Sequence, residues 1–277
     1  MIDQKTTESL KKIANECRLD IINMLEKAGS GHPGGSLSVI DIITTLFFHE
    51  MKINPKNPLD ENRDRFVLSK GHGVPALYAV FAKLGFIQKE DLMTLRMVNS
   101  KLQGHPDRVI MPIVEASTGS LGQGLSIAQG MALGLRLEKK ASRVFCVIGD
   151  GESQEGQIWE AAMSAPKFKL NNLVVFLDNN NGQIDGHINE VMEIEPILDK
   201  WRAFNWFVQE VDGHNFEEIC FALEKTRQEK TRPSFILART VKGKGVSFME
   251  NNIGWHGVTP NKEEAEKARE EIKKVLS

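Results

Sequence analysis

Two apolar runs in this chain stop in the same abrupt way, and that shared ending limits what the chain can fold into. "RVFCVIG" breaks after Gly149 into "DGESQEG", and "NLVVFLD" breaks after Asp178 into "NNNGQIDG". Each run is short and apolar on successive positions, as a strand covered on both faces would be. Beyond the first run, "QIWEAAMSA" returns to helical spacing, so the unit reads strand, loop, helix. Roughly 30 residues separate the two endings, the length of one strand–helix–strand unit. The same order is expected at "RFVLSKGHGVPALYAVFAKLG" and at "ASTGSLGQGLSIAQGMALGLRLE", with a further strand at "SFILART" after a helix over 216–225. Before them the spacing predicts a helix over 6–25, a glycine loop at "SGHPGG" and a second helix over 37–48. Strands alternating with helices imply an α/β fold: three layers, α/β/α, around a mostly parallel sheet. No repeat or low-complexity linker divides the chain, so one domain is expected over 1–277, ending in a charged, solvated helical tail at about 261–277.

Composition removes several classes of function. With 277 residues, the chain can bury a core without disulfide or metal support. A net charge of -2 shows no basic excess, so nucleic acid is not the expected partner. No run approaches the ~18 apolar residues that a membrane span needs. Cys17, Cys146 and Cys220 lie far apart without C-x-x-C spacing, which fits a reducing, cytoplasmic setting.

In open α/β sheets ligands gather beyond the carboxyl ends of the strands, where helix N-termini point their amides. Asp150 and the run Asp178, Asn179, Asn180, Asn181 stand at such ends. A carboxylate, an amide oxygen and a loop carbonyl make a hard oxygen site suited to magnesium, with calcium or manganese as substitutes. Taken singly, Asp150-Gly151 and Asn181-Gly182 read equally well as turns. Of the seven histidines, His32, His72, His105 and His256 lie in loops marked by glycine or proline, where scaffolded functional groups tend to sit. His49 at a helix end and His214 at a helix start read as capping or solvent-exposed residues, and His187 carries no assignment. "VKGKGVS" offers Lys242 and Lys244 to an anion, but it is not a Walker loop and reads as a mobile basic segment. The glycines of "GQGLSIAQG" lack dinucleotide-fingerprint spacing after a strand, which argues against NAD.

Together, "GDGESQEG" and "NLVVFLDNNNGQIDG" resemble the thiamine diphosphate motif. With "SGHPGGSLS", "DRFVLSKGHG", "GHPD", "STGSLGQGLSIAQGMALG" and "WHGVTP" in order along nearly the whole chain, the sequence is similar to the first half of the transketolases. That resemblance implies that Asp150, Asn180 and the carbonyl of Gly182 hold the metal. It implies that Gly119, Leu121 and Gly151 line the cofactor, with His72 and His256 also reaching it. His105 would meet a substrate hydroxyl, His32 and His72 would move protons or hydrogen-bond, and His256 would stand near phosphate and substrate. Glu155 resembles the carboxylate that transketolases place between paired active sites; a first-turn glutamate favouring the helix dipole is an equal reading. The implied chemistry is transfer of a two-carbon ketol unit from a ketose to an aldose, both sugar phosphates, as in pentose phosphate metabolism. The resemblance further implies a separate C-terminal, pyrimidine-binding subunit, in a two-plus-two heterotetramer. Three alternatives stay open. They are half of a 1-deoxyxylulose-5-phosphate synthase-like enzyme, against which "GHPD" and "QEG" speak; a 2-oxo acid decarboxylase or dehydrogenase subunit; and a noncatalytic binding protein that keeps the fold.

Overall fold

The computed structural model describes residues 2–276. Asp3 accepts a hydrogen bond from the Thr6 amide at 2.7 Å and so caps α1, Gln4–Ala28, which Gly29 closes in the left-handed conformation at φ 64°. Pro33 opens α2, Pro33–Thr45, where its missing N–H costs nothing. Five parallel strands follow in the chain order β1 (Arg65–Leu68), β2 (Val144–Gly149), β3 (Leu173–Asn179), then, past a two-residue hairpin of β4 (Gly182–Gln183) and β5 (Gly186–His187), β6 (Phe207–Asp212) and β7 (Ser234–Arg239). The helices between and after them are α3 (Val74–Leu84), α4 (Gln123–Leu137), α5 (Gly156–Lys167), α6 (Ile188–Val191), α7 (Ile197–Ala203), α8 (Phe216–Gln228) and α9 (Lys262–Leu276). Among the described residues no helix is long and apolar enough to cross a membrane.

The sheet runs β1-β2-β3-β7-β6, which puts the two runs that end in acid side by side within it. Gly149 pairs with Asp178, so β2 ends one residue short of β3, and the chain leaves the two strands within one residue of each other. Alternate strand residues point to opposite faces. Phe145, Val147, Val174 and Phe176 join the core formed with α1, α2, α3, α8 and α9. Cys146, Ile148, Val175 and Leu177 join the one formed with α4, α5 and α7. The α/β/α layering is therefore the observed fold.

Three local readings change. Residues 116–120 form no strand; Thr118 donates its hydroxyl to the Leu68 carbonyl and Gly119 sits at φ 137°, so the segment curls over the end of β1 instead of extending beside it. β6 has no counterpart among the expected strands, because an edge strand with Gln209, Glu210 and Asp212 shows little apolar signal. The tail helix α9 is not merely solvated: Ala265, Ala268 and Ile272 are buried against the core, and Arg269 bonds Glu26 of α1 at 2.6 Å.

Candidate functional site

Beyond the ends of β1, β2 and β3 lies a cavity of about 290 Å³. Its walls include His32, His72, His105, Gly119, Leu121, Asp150, Gly151, Glu155, Asn180, Gly182 and His256, so every residue to which the resemblance gives a catalytic, cofactor or metal role borders the same space.

Asp150 is 3% exposed. Its Oδ1 accepts the Gly151 N–H at 2.8 Å, whereas Oδ2 is buried with no partner. Burial, and after it the charge of Asp178, push its pKa up to about 6. An unpaired buried carboxylate oxygen is costly unless a ligand completes it. Asn180 donates from Nδ2 to Ser38 Oγ at 3.1 Å and to Asp178 Oδ2 at 3.3 Å, and Gly182 N–H donates to its Oδ1 at 3.1 Å, which fixes the amide orientation. The Gly182 carbonyl accepts from Lys242 Nζ at 3.3 Å and keeps a second lone pair. Among the described residues no three His, Cys, Asp or Glu side chains converge as a metal cage. A cation here would be held by one carboxylate, one amide and one carbonyl, with phosphate oxygens and water completing the shell, a donor set that fits magnesium.

Two lysines that carry little weight in the sequence belong to this site. Lys70, from "SKGHG", is 1% exposed and paired with Asp178, itself fully buried. Lys70 Nζ also donates to the Gly35 carbonyl at 3.1 Å, and Ser38 Oγ donates to Asp178 Oδ2 at 2.7 Å. Lys242 is also 1% exposed, and burial together with the Lys70 charge brings its pKa down to about 8. Its segment is pinned rather than free: Thr240 N–H donates to the Asn179 carbonyl at 3.0 Å, and Gly243 N–H to the Gly34 carbonyl at 3.0 Å. A cation in a glycine-marked loop was the legible signal; its depth was not. Lys244, by contrast, faces outward and meets Glu250 at 3.5 Å.

The four loop histidines cluster above these charges. The His32 ring centre is 5.3 Å from His72, 5.6 Å from His256 and 6.1 Å from His105. Burial, then nearby positive charge, lowers His32 to about 4 and His256 to about 3, and the same causes put His72 well below 6.5. His105 is lowered chiefly by burial, then by Arg96. All four are neutral imidazoles at pH 7, each with one donor and one acceptor nitrogen. Lys242 Nζ stands 3.0 Å from His256 Nδ1; with the ammonium as donor, the His256 ring proton sits on Nε2.

The remaining walls are backbone brought close. Gly119 lies against His105, where a Cβ would come within 2.9 Å of its ring, and its φ of 137° suits glycine. Buried Glu152, adjacent to Gly151, accepts from Ser69 Oγ, from Gly122 N–H at 2.9 Å and from Gly149 N–H at 3.0 Å, bracing the ends of β1 and β2 against the start of α4. Glu155 is exposed at the cavity rim, where it precedes α5 without a side-chain capping bond.

A family model described as "Transketolase, thiamine diphosphate binding domain" matches residues 9–273. The chain belongs to the transketolase family. It is 45% identical to the 6-deoxy-6-sulfo-D-fructose transketolase subunit SqwG of Clostridium sp. (strain MSTE9), covering 96% of both chains. It is 40% identical to an apulose-4-phosphate transketolase subunit of Phocaeicola vulgatus, over 96% of this chain and 94% of that one. Among solved structures, transketolase from Campylobacter jejuni superposes with a TM-score of 0.90 at 35% identity, over 96% of this chain and 43% of that one. The chain is thus a thiamine diphosphate-binding transketolase subunit that matches two named subunits nearly end to end and spans under half of the Campylobacter transketolase.

Proposed function

We propose that the cavity holds the diphosphate end of thiamine diphosphate through a magnesium ion on Asp150, Asn180 and the Gly182 carbonyl. In this reading the chain works with a separate pyrimidine-binding subunit, in a two-plus-two assembly, to move a two-carbon ketol unit between sugars. The observation that carries the metal assignment is the unpartnered Asp150 Oδ2 among fixed oxygen donors. Calcium or manganese would fit the same oxygens. Both subunit relatives carry a sulfo or phosphate group in their substrate names, which supports an anionic sugar as donor.

When bound, thiamine diphosphate supplies a nucleophilic carbon and an electron sink for cleaving a carbon–carbon bond beside a carbonyl. This chain's residues do the rest. Lys242 opposes the diphosphate charge, a cation held by Asp150, Asn180 and the Gly182 carbonyl would oppose it too, and Gly119 and Gly151 let backbone approach it. His256 Nε2–H and the neutral rings of His32 and His72 can donate to, or take protons from, substrate oxygens near pH 7. His105, at the mouth, is placed to hold a hydroxyl of the donor. Glu155, exposed on the rim, is free to meet a second chain.

Calorimetry of thiamine diphosphate with magnesium tests the site: saturable binding by the wild-type chain that needs the metal supports it, and undiminished affinity in Asp150→Ala overturns the metal assignment. A coupled assay for two-carbon transfer tests the assembly. Turnover is expected only with a pyrimidine-binding partner present, and robust turnover by this chain alone overturns the two-subunit reading.

A further inference from the structure

We propose that His214, outside the cavity, is a positioning residue that sets where Lys242 stands behind the cavity wall, acting through the backbone of Val241. The inference rests on the reading that Lys242 faces the bound diphosphate.

Val241 N–H donates to His214 Nε2 at 2.8 Å. A backbone amide can only donate, so Nε2 bears the lone pair and the ring proton is on Nδ1. That proton points at Asp41 Oδ2, 2.7 Å away. Asp41 is 3% exposed and held by both ends of a guanidinium, Arg18 Nη1 at 2.9 Å and Nη2 at 2.6 Å. Burial works to raise the Asp41 pKa, but the Arg18 charge and the His214 bond outweigh it, so a carboxylate faces the ring. Arg18 also reaches past Asp41: its Nε donates to the Lys244 carbonyl at 3.2 Å. The Arg18–Asp41–His214 triad therefore grips the segment on both sides of Lys242. His214 is not the helix cap that its place in the sequence suggests; Asn215 does that, accepting from the Glu217 and Glu218 amides.

Lys242 has little room for error. Its stem threads between two glycines, where a Cβ on Gly34 would come within 2.9 Å of it and one on Gly182 within 2.7 Å. Its Nζ reaches the Gly182 carbonyl at 3.3 Å and His256 Nδ1 at 3.0 Å. A displacement at Val241 passes directly to the next residue. Only a ring with an acceptor at one end and a donor at the other bridges Val241 and Asp41 at once. Glutamine can place an amide oxygen near Nε2, and asparagine an amide nitrogen near Nδ1, so the two variants separate the contacts.

Thiamine diphosphate is titrated with excess magnesium into the full chain carrying His214→Asn, His214→Gln, Lys242→Met or His214→Asn with Lys242→Met. Binding is expected to weaken about tenfold in His214→Asn, a change within the range of coupled neighbours, and to stay within about threefold of wild type in His214→Gln. On the Lys242→Met background, His214→Asn is expected to add nothing. A full further tenfold loss there, or no loss from Lys242→Met itself, overturns the proposal. Hydrogen exchange of the ligand-free chain supplies the second readout. The Val241 amide should exchange faster in His214→Asn and remain protected in His214→Gln, while Ile236 and Leu237 in β7 stay protected in both. Unchanged Val241 protection in His214→Asn overturns the clamp. If His214→Asn does not fold, a folded His214→Gln that binds tenfold more weakly than wild type overturns it too. Failure of the wild-type chain to bind thiamine diphosphate would count against the proposed function instead, and the exchange experiment would still judge the clamp.

Discussion

Asp150, just past the end of β2, and Asp178, opposite Gly149 near the end of β3, are neighbours and both buried, yet they are wired in opposite ways. Asp178 spends both oxygens inside the protein: Thr240 donates to Oδ1, and Lys70, Ser38 and Asn180 share Oδ2. Burial raises its pKa, but Lys70 and these donors outweigh that and hold it below the ordinary carboxylate value. Asp150 has one backbone donor and an unpaired oxygen, and its pKa goes up. A strand-end carboxylate thus acquires its job from the number of donors around it. Saturated from within, it becomes a bracket that orients Asn180 and Lys70; left short of partners, it faces outward to a ligand.

The largest effect should come from breaking the bracket. Asp178→Ala strands the Lys70 ammonium in the core and should cost about 3–5 kcal/mol of stability, read by urea unfolding. A loss under about 1 kcal/mol would mean that the two aspartates are interchangeable. Next is Asp150→Ala, which removes no internal ion pair. Ligand-free stability should hold, while thiamine diphosphate affinity in magnesium should fall by about 100-fold, more than the lower end of the losses seen for residues that merely support a metal ligand. A variant that unfolds like Asp178→Ala would put Asp150 in the structural class.

The imidazoles sharpen the contrast through pH. His32 has a folded-state pKa of about 4, lowered by burial, and its Nδ1 is buried without a partner. The unfolded chain therefore binds the proton more readily between about pH 6.5 and 4, so stability is lost as pH falls through that window. His32→Asn should flatten the loss, as measured by unfolding at pH 7 and pH 4.5; equal slopes in both proteins would show that His32 is not the source of that acid sensitivity. The smallest effect belongs to Lys244. Its ion pair with Glu250 is about a third exposed on both sides, so Lys244→Ala should change stability by about 0.5 kcal/mol or less and leave cofactor affinity alone. A tenfold loss of affinity would instead place its charge with that of Lys242.

Much of the site is legible in the sequence because its signals are local. Asp150 follows an apolar run directly, Asn180 follows another, and the four cavity histidines each sit beside glycine or proline. Lys70 and Lys242 are harder, because a lysine in a glycine loop reads as exposed and only packing buries it. His214 misleads for a related reason: its partners, Asp41 and Val241, are 173 and 27 residues away, and the nearer signal is a helix start. β6 hides among polar residues because an edge strand satisfies its backbone on one side and needs little apolar surface.

Hydrophobic period and turn chemistry act within a few residues, and they suffice to dictate the alternation of strand and helix, hence the parallel sheet, and the residue types that stand at the strand ends. Which of those groups remains unsatisfied is settled only when the chain packs. Whether an aspartate is a bracket or a ligand, or a histidine a cap or a clamp, depends on donors and charges brought from distant segments into a buried, weakly screened interior, where a nearby ammonium and a set of hydrogen bonds reverse the direction of a pKa shift.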